Sequence, residues 1–180
     1  MGYWGLFIIV MLAGVVIQST LQGKFAKYSK VSLKYNYTGA DIARKMMQDN
    51  GITDVKVECI EGTLTDHYNP ATKTVNLSKK VYYGSSVAAV AVAAHECGHV
   101  VQHAVGYAPL KLRSALVPVV SFANNTVQWI FLLGMLMIQS FPTLLWIGIA
   151  LFAMTTLFSF VTLPVEINAS ARAVKWLDNA

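Results

Sequence analysis

Two stretches of this chain carry no charged side chain, and they restrict the folds open to it more than any other feature. No Lys, Arg, Asp or Glu occurs in residues 1–23, and none in residues 114–165. Each Lys, Arg or Asp at a bilayer centre costs about 2.5–3.5 kcal/mol, so such gaps mark segments suited to lipid. Composition agrees: of 180 residues, 55% are hydrophobic and 13% charged, against roughly 45–50% and roughly 25% in soluble domains. Residues 3–20 are about long enough to cross a hydrocarbon core of roughly 30 Å. The second stretch is too long for one crossing and sufficient for two, which predicts spans at 116–138 and 141–163 with a turn at Gln139 and Ser140.

The flanking charges set an orientation. Lys24, Lys27, Lys30 and Lys34 follow the first span instead of preceding it, which predicts a retained anchor and not a cleaved signal peptide. By the positive-inside rule the amino terminus lies outside, with Tyr3 and Trp4 at the outer interface, and the next segment is cytoplasmic. The net charge of +5 then reflects topology. No basic run alternates with aromatics, so nucleic acid is not an expected partner. Cys59 and Cys97 have no framework spacing, which predicts reduced thiols in a reducing compartment.

These limits divide the chain into an anchor (1–22), a cytoplasmic domain (23–113), a transmembrane hairpin (114–164) and a closing helix (165–180). In the polar domain, Thr38 with Asp41 three residues on signals a helix start, and Gly51 its end. Strand-like runs follow at 54–60, 62–68 and 73–77. The last two flank Asn69-Pro70-Ala71-Thr72, a turn in composition, and predict a hairpin. Ser85 or Ser86 caps a longer helix that Gly106 stops. Pro164 suits the first turn of a short amphipathic closing helix, VEINASARAVKWL. Asn124, Asn125 and Gln128 are polar groups inside a span, expected to hydrogen-bond between helices. The expected fold class is an α+β, mostly helical integral membrane protein with a short β-hairpin or sheet and three transmembrane helices.

The chemistry concentrates in His95-Glu96-Cys97-Gly98-His99, within the longer helix of the polar domain. At about 100° per residue, His95 and His99 lie one turn apart and roughly 40° around the axis, so both imidazoles can face one ion. HExxH on a helix is the arrangement in which two imidazoles hold Zn²⁺ while the glutamate takes a proton from the metal-bound water. Cys97 falls about 200° from His95 and points into packing.

A catalytic zinc needs a third protein ligand. The metzincin pattern fails, because Val105 and Gln102 stand where it requires histidine and glycine. His103 is a ligand by spacing alone. Three imidazoles over two turns of one straight helix converge poorly, which favours a supporting or solvent-facing role. His67, at the hairpin, is expected to cap or pack. Glu166 is the first charge after the long apolar stretch, yet the helix dipole alone favours a glutamate in a first helical turn. The residues themselves leave the choice open.

The order GTLTDHYNPATKTVNLS, then VAAHECGHVVQHAVGYAPLKLRSALVP, then a hydrophobic pair, then LPVEINAS resembles the YugP-type family of membrane zinc metallopeptidases. It is more distantly similar to HtpX-like membrane proteases. The resemblance runs from the hairpin onward and implies a small zincin-like, gluzincin-type catalytic domain with zinc on His95, His99 and Glu166 and Glu96 as general base. HtpX-like chains place an aspartate one turn after the glutamate; here that position is Ser170, with Arg172 close by as a further supporting candidate. Similar chains continue into another hydrophobic segment, whereas this sequence stops at Ala180. The implied activity is metalloendopeptidase cleavage of peptides or membrane proteins at the cytoplasmic face of a bacterial plasma membrane. The strand containing Thr74, Val75, Asn76 and Leu77 is expected to offer substrate an edge. The competing reading is a zinc-stabilised scaffold without turnover, as a homo-oligomer or a subunit of a membrane complex.

Overall fold

The computed structural model describes residues 2–33 and 36–180, with side chains from Gly5 onward in the first helix. Tyr3, Trp4 and Lys34, expected at the membrane interfaces, fall outside that description. The elements are α1 (Gly2–Tyr28), α2 (Gly39–Asp49), β1 (Lys56–Ile60), β2 (His67–Asn69), β3 (Thr74–Ser78), α3 (Lys79–Tyr82), α4 (Val87–Ala104), α5 (Ala108–Leu136) and α6 (Pro142–Leu177). They fall into two compact units, residues 1–97 and 98–180, with the boundary inside α4.

In the first unit, α1 is apolar on every side, and none of its hydrophobic window is buried against protein. A helix of that kind needs a hydrocarbon solvent. Beyond it the chain pairs with the entry to α4, where Leu33 N–H donates to Ser85 O at 3.1 Å and Val87 N–H to Val31 O at 2.9 Å. Thr38 and Asp41 close the expected capping box on α2, with Asp41 N–H on Thr38 Oγ1 at 3.2 Å and Thr38 N–H on Asp41 Oδ2 at 3.1 Å. The apolar side of α2 buries Ile42, Ala43, Met46 and Met47. Gly51 then takes φ +70, left-handed backbone in which glycine has no Cβ penalty.

The hairpin forms as its turn chemistry requires. Asn69 Oδ1 accepts from the N–H groups of Ala71 at 3.0 Å and Thr72 at 3.4 Å, and Lys73 completes the reversal at φ +51. The sheet order is β1-β3-β2, with β1 parallel and β2 antiparallel to β3. This corrects one expectation: Thr74, Val75, Asn76 and Leu77 are in the central strand and not at an edge, the first three paired on both sides and Leu77 paired with Cys59 of β1. Burial of Thr74, Val75, Leu77 and Ser78 on both faces of β3 is what a central strand shows. Ser86 proves to be the cap of α4, its Oγ accepting from Ala89 N–H at 3.2 Å. Cys97 is fully buried, with Sγ 3.5 Å from Ala43 O; both cysteines are free.

In the second unit, Gly106 at φ +65 stops α4, and Tyr107 N–H closes back on Gln102 O at 2.9 Å. Helices α5 and α6 form the expected hairpin, turning through residues 137–141, where Phe141 N–H meets Met137 O at 2.8 Å. Gly134 lets the pair approach at the turn, since an added Cβ would lie 3.2 Å from Leu145 N. Both helices are long and apolar enough to cross a membrane, with mean hydropathy 1.4 and 2.2. Asn124, Asn125 and Gln128 are exposed on α5 and not buried between helices.

A second correction concerns Pro164. No new helix begins there; α6 runs unbroken from Pro142 to Leu177 with Pro164 inside it. Proline removes one helical N–H, a loss of about 3 kcal/mol in a soluble helix interior. In a membrane helix the freed groups can be satisfied locally, and continuing the helix pairs all the remaining ones. Glu166 therefore stands deep within a helix. The dipole of a first turn cannot account for it.

Candidate metal centre

The run VAAVAVAA before His95 is rich in alanine, the best helix former, and sets α4 firmly in register. That register places His95 and His99 half-buried and Glu96 buried. On α6, Glu166 comes to His99, with Oε2 at 3.5 Å from Nε2. One ligand atom each from His95, His99 and Glu166 lies within 4.8 Å of the other two. Ligand atoms about 2.0–2.1 Å from a tetrahedral zinc are separated from one another by roughly 3.3 Å. Two imidazoles and one carboxylate fit Zn²⁺ in donor type and number, and the His99–Glu166 pair at 3.5 Å is close to that spacing.

Glu96 is held from outside its own helix. Tyr68 N–H, on β2, donates to Glu96 Oε2 at 3.1 Å, so a backbone group fixes one oxygen of a carboxylate that is only 9% exposed. The hairpin supplying that N–H is itself tied down by Asp66, whose oxygens accept from Ser78 N–H at 2.7 Å and Ser78 Oγ at 3.2 Å. Burial raises the Tyr68 phenol further above its usual range, the Asp54 carboxylate adding to the effect, so it stays neutral.

His99 is oriented through its other nitrogen. Nδ1 lies 3.0 Å from Gln102 Oε1. Gln102 is fully buried, and its Nε2 donates to Val165 O at 2.8 Å and Asn168 Oδ1 at 3.0 Å. Arg172 Nε donates to the same Asn168 oxygen at 2.8 Å. Arg172, a supporting candidate by sequence, thus reaches Asn168 and not a candidate ligand in that bond. Gln102 and Asn168 were not singled out as site residues by sequence reasoning. The available signal was a buried-type amide three residues after His99 on an otherwise apolar helix.

The remaining candidates separate cleanly. His103 is exposed and lies outside the ligand cluster. His67 is exposed and stitches the hairpin, with Nδ1 2.8 Å from Thr65 O and Nε2 3.2 Å from Asn76 Nδ2. Ser170 is exposed on α6, one turn after Glu166. Gly98 is a site residue of another kind: a Cβ there would collide with the Ala169 carbonyl oxygen and sit 2.9 Å from its carbon. The second half of α4 can approach α6 closely because that position is glycine.

The family described as "Putative neutral zinc metallopeptidase" matches residues 3–180. The chain belongs to the neutral zinc metallopeptidase family. It is also 45% identical over 172 residues to "Putative membrane protease YugP" of Bacillus subtilis (strain 168), covering 93% of this chain and 76% of that relative. No solved structure matches the chain. The family is one of hydrolases with Zn²⁺ as the expected cofactor, and the cluster of His95, His99 and Glu166 has the chemistry to hold it. Three long apolar helices among the described residues and a membrane-protease relative support membrane association.

Proposed function

We propose that this protein is a membrane-embedded metalloendopeptidase of the gluzincin type, with His95, His99 and Glu166 as zinc ligands and Glu96 as general base. The observation that carries the reading is the buried Glu96 carboxylate, pinned by the Tyr68 N–H beside the first ligand histidine. A scaffold needs ligands only. A peptidase also needs a carboxylate held in place to move a proton. Zinc, when bound, polarises the scissile carbonyl and acidifies water. Glu96 then accepts the water proton and returns it to the departing amine. His99 turns Nε2 toward Glu166 while Nδ1 faces Gln102 Oε1.

The lysines after α1 support an external amino terminus and a cytoplasmic catalytic region comprising residues 23–113 and 165–180, with 1–22 and 114–164 in the membrane. Substrates in reach of such a site are peptides or membrane proteins at the cytoplasmic surface, and the enzyme acts alone, as a homo-oligomer or within a membrane complex.

The test pairs two variants of the full chain in detergent or vesicles. Glu96→Gln should retain zinc and lose peptidase activity by at least about 100-fold, the usual worth of a general base. Glu166→Ala should lose zinc on dialysis. Peptidase activity persisting in Glu96→Gln overturns the mechanism, and unchanged zinc content in Glu166→Ala removes that residue from the ligand set. Retention of zinc by a wild type that cleaves no peptide or membrane protein would favour the scaffold.

A further inference from the structure

We infer that Gln102 is the positioning residue of the metal centre, an amide lock that fixes the tautomer of His99 and ties it to the helix carrying Glu166. The inference rests on the zinc reading above and extends it to residues that touch no metal.

The direction of the lock follows from hydrogen-bond chemistry. A main-chain carbonyl can only accept, so Val165 O at 2.8 Å requires the NH₂ end of Gln102. The second N–H of that group goes to Asn168 Oδ1 at 3.0 Å, an oxygen already receiving Arg172 Nε at 2.8 Å. The amide therefore cannot be reversed without setting two acceptors against its oxygen. Oε1 is left facing His99 Nδ1 at 3.0 Å. Because that oxygen can only accept, Nδ1 must carry the proton. Nε2 is then the nitrogen left for a metal, and it lies 3.5 Å from Glu166 Oε2. Val165, the anchor of the amide, immediately precedes Glu166. One buried side chain thus sets the protonation pattern of one ligand and grips the backbone beside another. Supporting hydrogen bonds of this kind are worth roughly 10–100-fold in metal affinity.

The experiment measures zinc dissociation constants by chelator competition on the full chain in detergent, for wild type, Gln102→Leu and Arg172→Met. Gln102→Leu should weaken binding by roughly 10–100-fold. Arg172→Met, which removes only the outer hydrogen bond, should weaken it by less. A loss of fold would also weaken binding, so the second readout needs no variant and no metal: ¹⁵N shifts of the His99 imidazole in metal-free wild type. The Nδ1–H tautomer should dominate there, and in a folded Gln102→Leu it should give way to a mixture. Wild-type affinity in Gln102→Leu, or an Nε2–H tautomer in metal-free wild type, overturns the lock. Failure of the underlying reading looks different, because wild type itself would then bind no stoichiometric zinc.

Discussion

Replacing Gly98 by alanine tests the idea that the metal centre depends on how closely α4 and α6 approach. The added Cβ would collide with Ala169 O and lie 2.9 Å from its carbonyl carbon and 3.0 Å from its Cα, where ordinary contact begins at 3.4 Å. All three are backbone atoms of a continuous helix, so no side chain can swing aside. The main chain at Ala169 must retreat by about 0.5 Å, and its oxygen by more. Glu166 is one turn away on the same helix and travels with it, whereas a zinc site tolerates only about ±0.2 Å in ligand distances. Overpacking of this kind costs about 1–3 kcal/mol in stability. The metal should be affected as well, with zinc affinity falling on the order of 10–100-fold as ligand support is lost. Chelator competition and thermal unfolding, with and without zinc, read both effects. Gly14→Ala on α1 is the control, since an added Cβ there meets nothing within 4 Å. A Gly98→Ala protein with wild-type zinc affinity would show that the closeness of this crossing does not set the ligand geometry.

Two further outcomes follow from groups outside the metal centre. Asp41 is held below its usual 3.8 by the Thr38 hydroxyl first and then the Thr38 N–H. A carboxyl with a lowered folded pKa stabilises the fold above the unfolded value and loses that contribution as pH falls through the folded one. Thr38→Ala should therefore cost about 1 kcal/mol at neutral pH and flatten the stability loss below about pH 4, measured by denaturant unfolding across acid pH; an unchanged acid limb would refute it. Burial, followed by the Glu96 carboxylate, pushes the Cys97 thiol far above its usual range. Thiol reagents at pH 8 should thus label Cys97 only on unfolding, and rapid labelling of the folded protein would contradict its packing against Ala43.

Local signals made the first unit readable. The capping box at Thr38, the Asn69 turn and the cap before α4 each depend on residues within a few positions of one another, and each formed where the sequence placed it. Strand position in the sheet was not readable. Thr74-Val75-Asn76-Leu77-Ser78 alternates polar and apolar like a half-exposed strand, yet β1 occupies its second edge in parallel and residues on both of its faces are buried. No short-range signal in the hairpin announces a parallel partner that lies earlier in the chain. Pro164 misled for a related reason: a first-turn preference is a local tendency, and α6 absorbs the one N–H that proline lacks and continues through it.

The metal centre divides along the same line. The candidate ligands are legible because a zinc site restricts their chemical type, and HECGH on a helix fixes the spacing of two of them. Glu166 was visible as an isolated charge, but its placement mid-helix was needed to remove the dipole explanation. What supports the ligands is invisible locally. Gly98 matters through a carbonyl of α6, and Gln102 through Val165 and Asn168, partners more than sixty positions away. In an apolar helix a glycine and a glutamine look like weak points, one for lost propensity and one for an amide that burial makes costly. Both are explained once α6 is beside them: the glycine admits the helix, and the glutamine spends every amide hydrogen and its oxygen on holding it to His99. A glycine and a buried amide, each unfavourable in an isolated helix, are therefore the residues that join the His99 turn of α4 to the turn of α6 that carries Glu166.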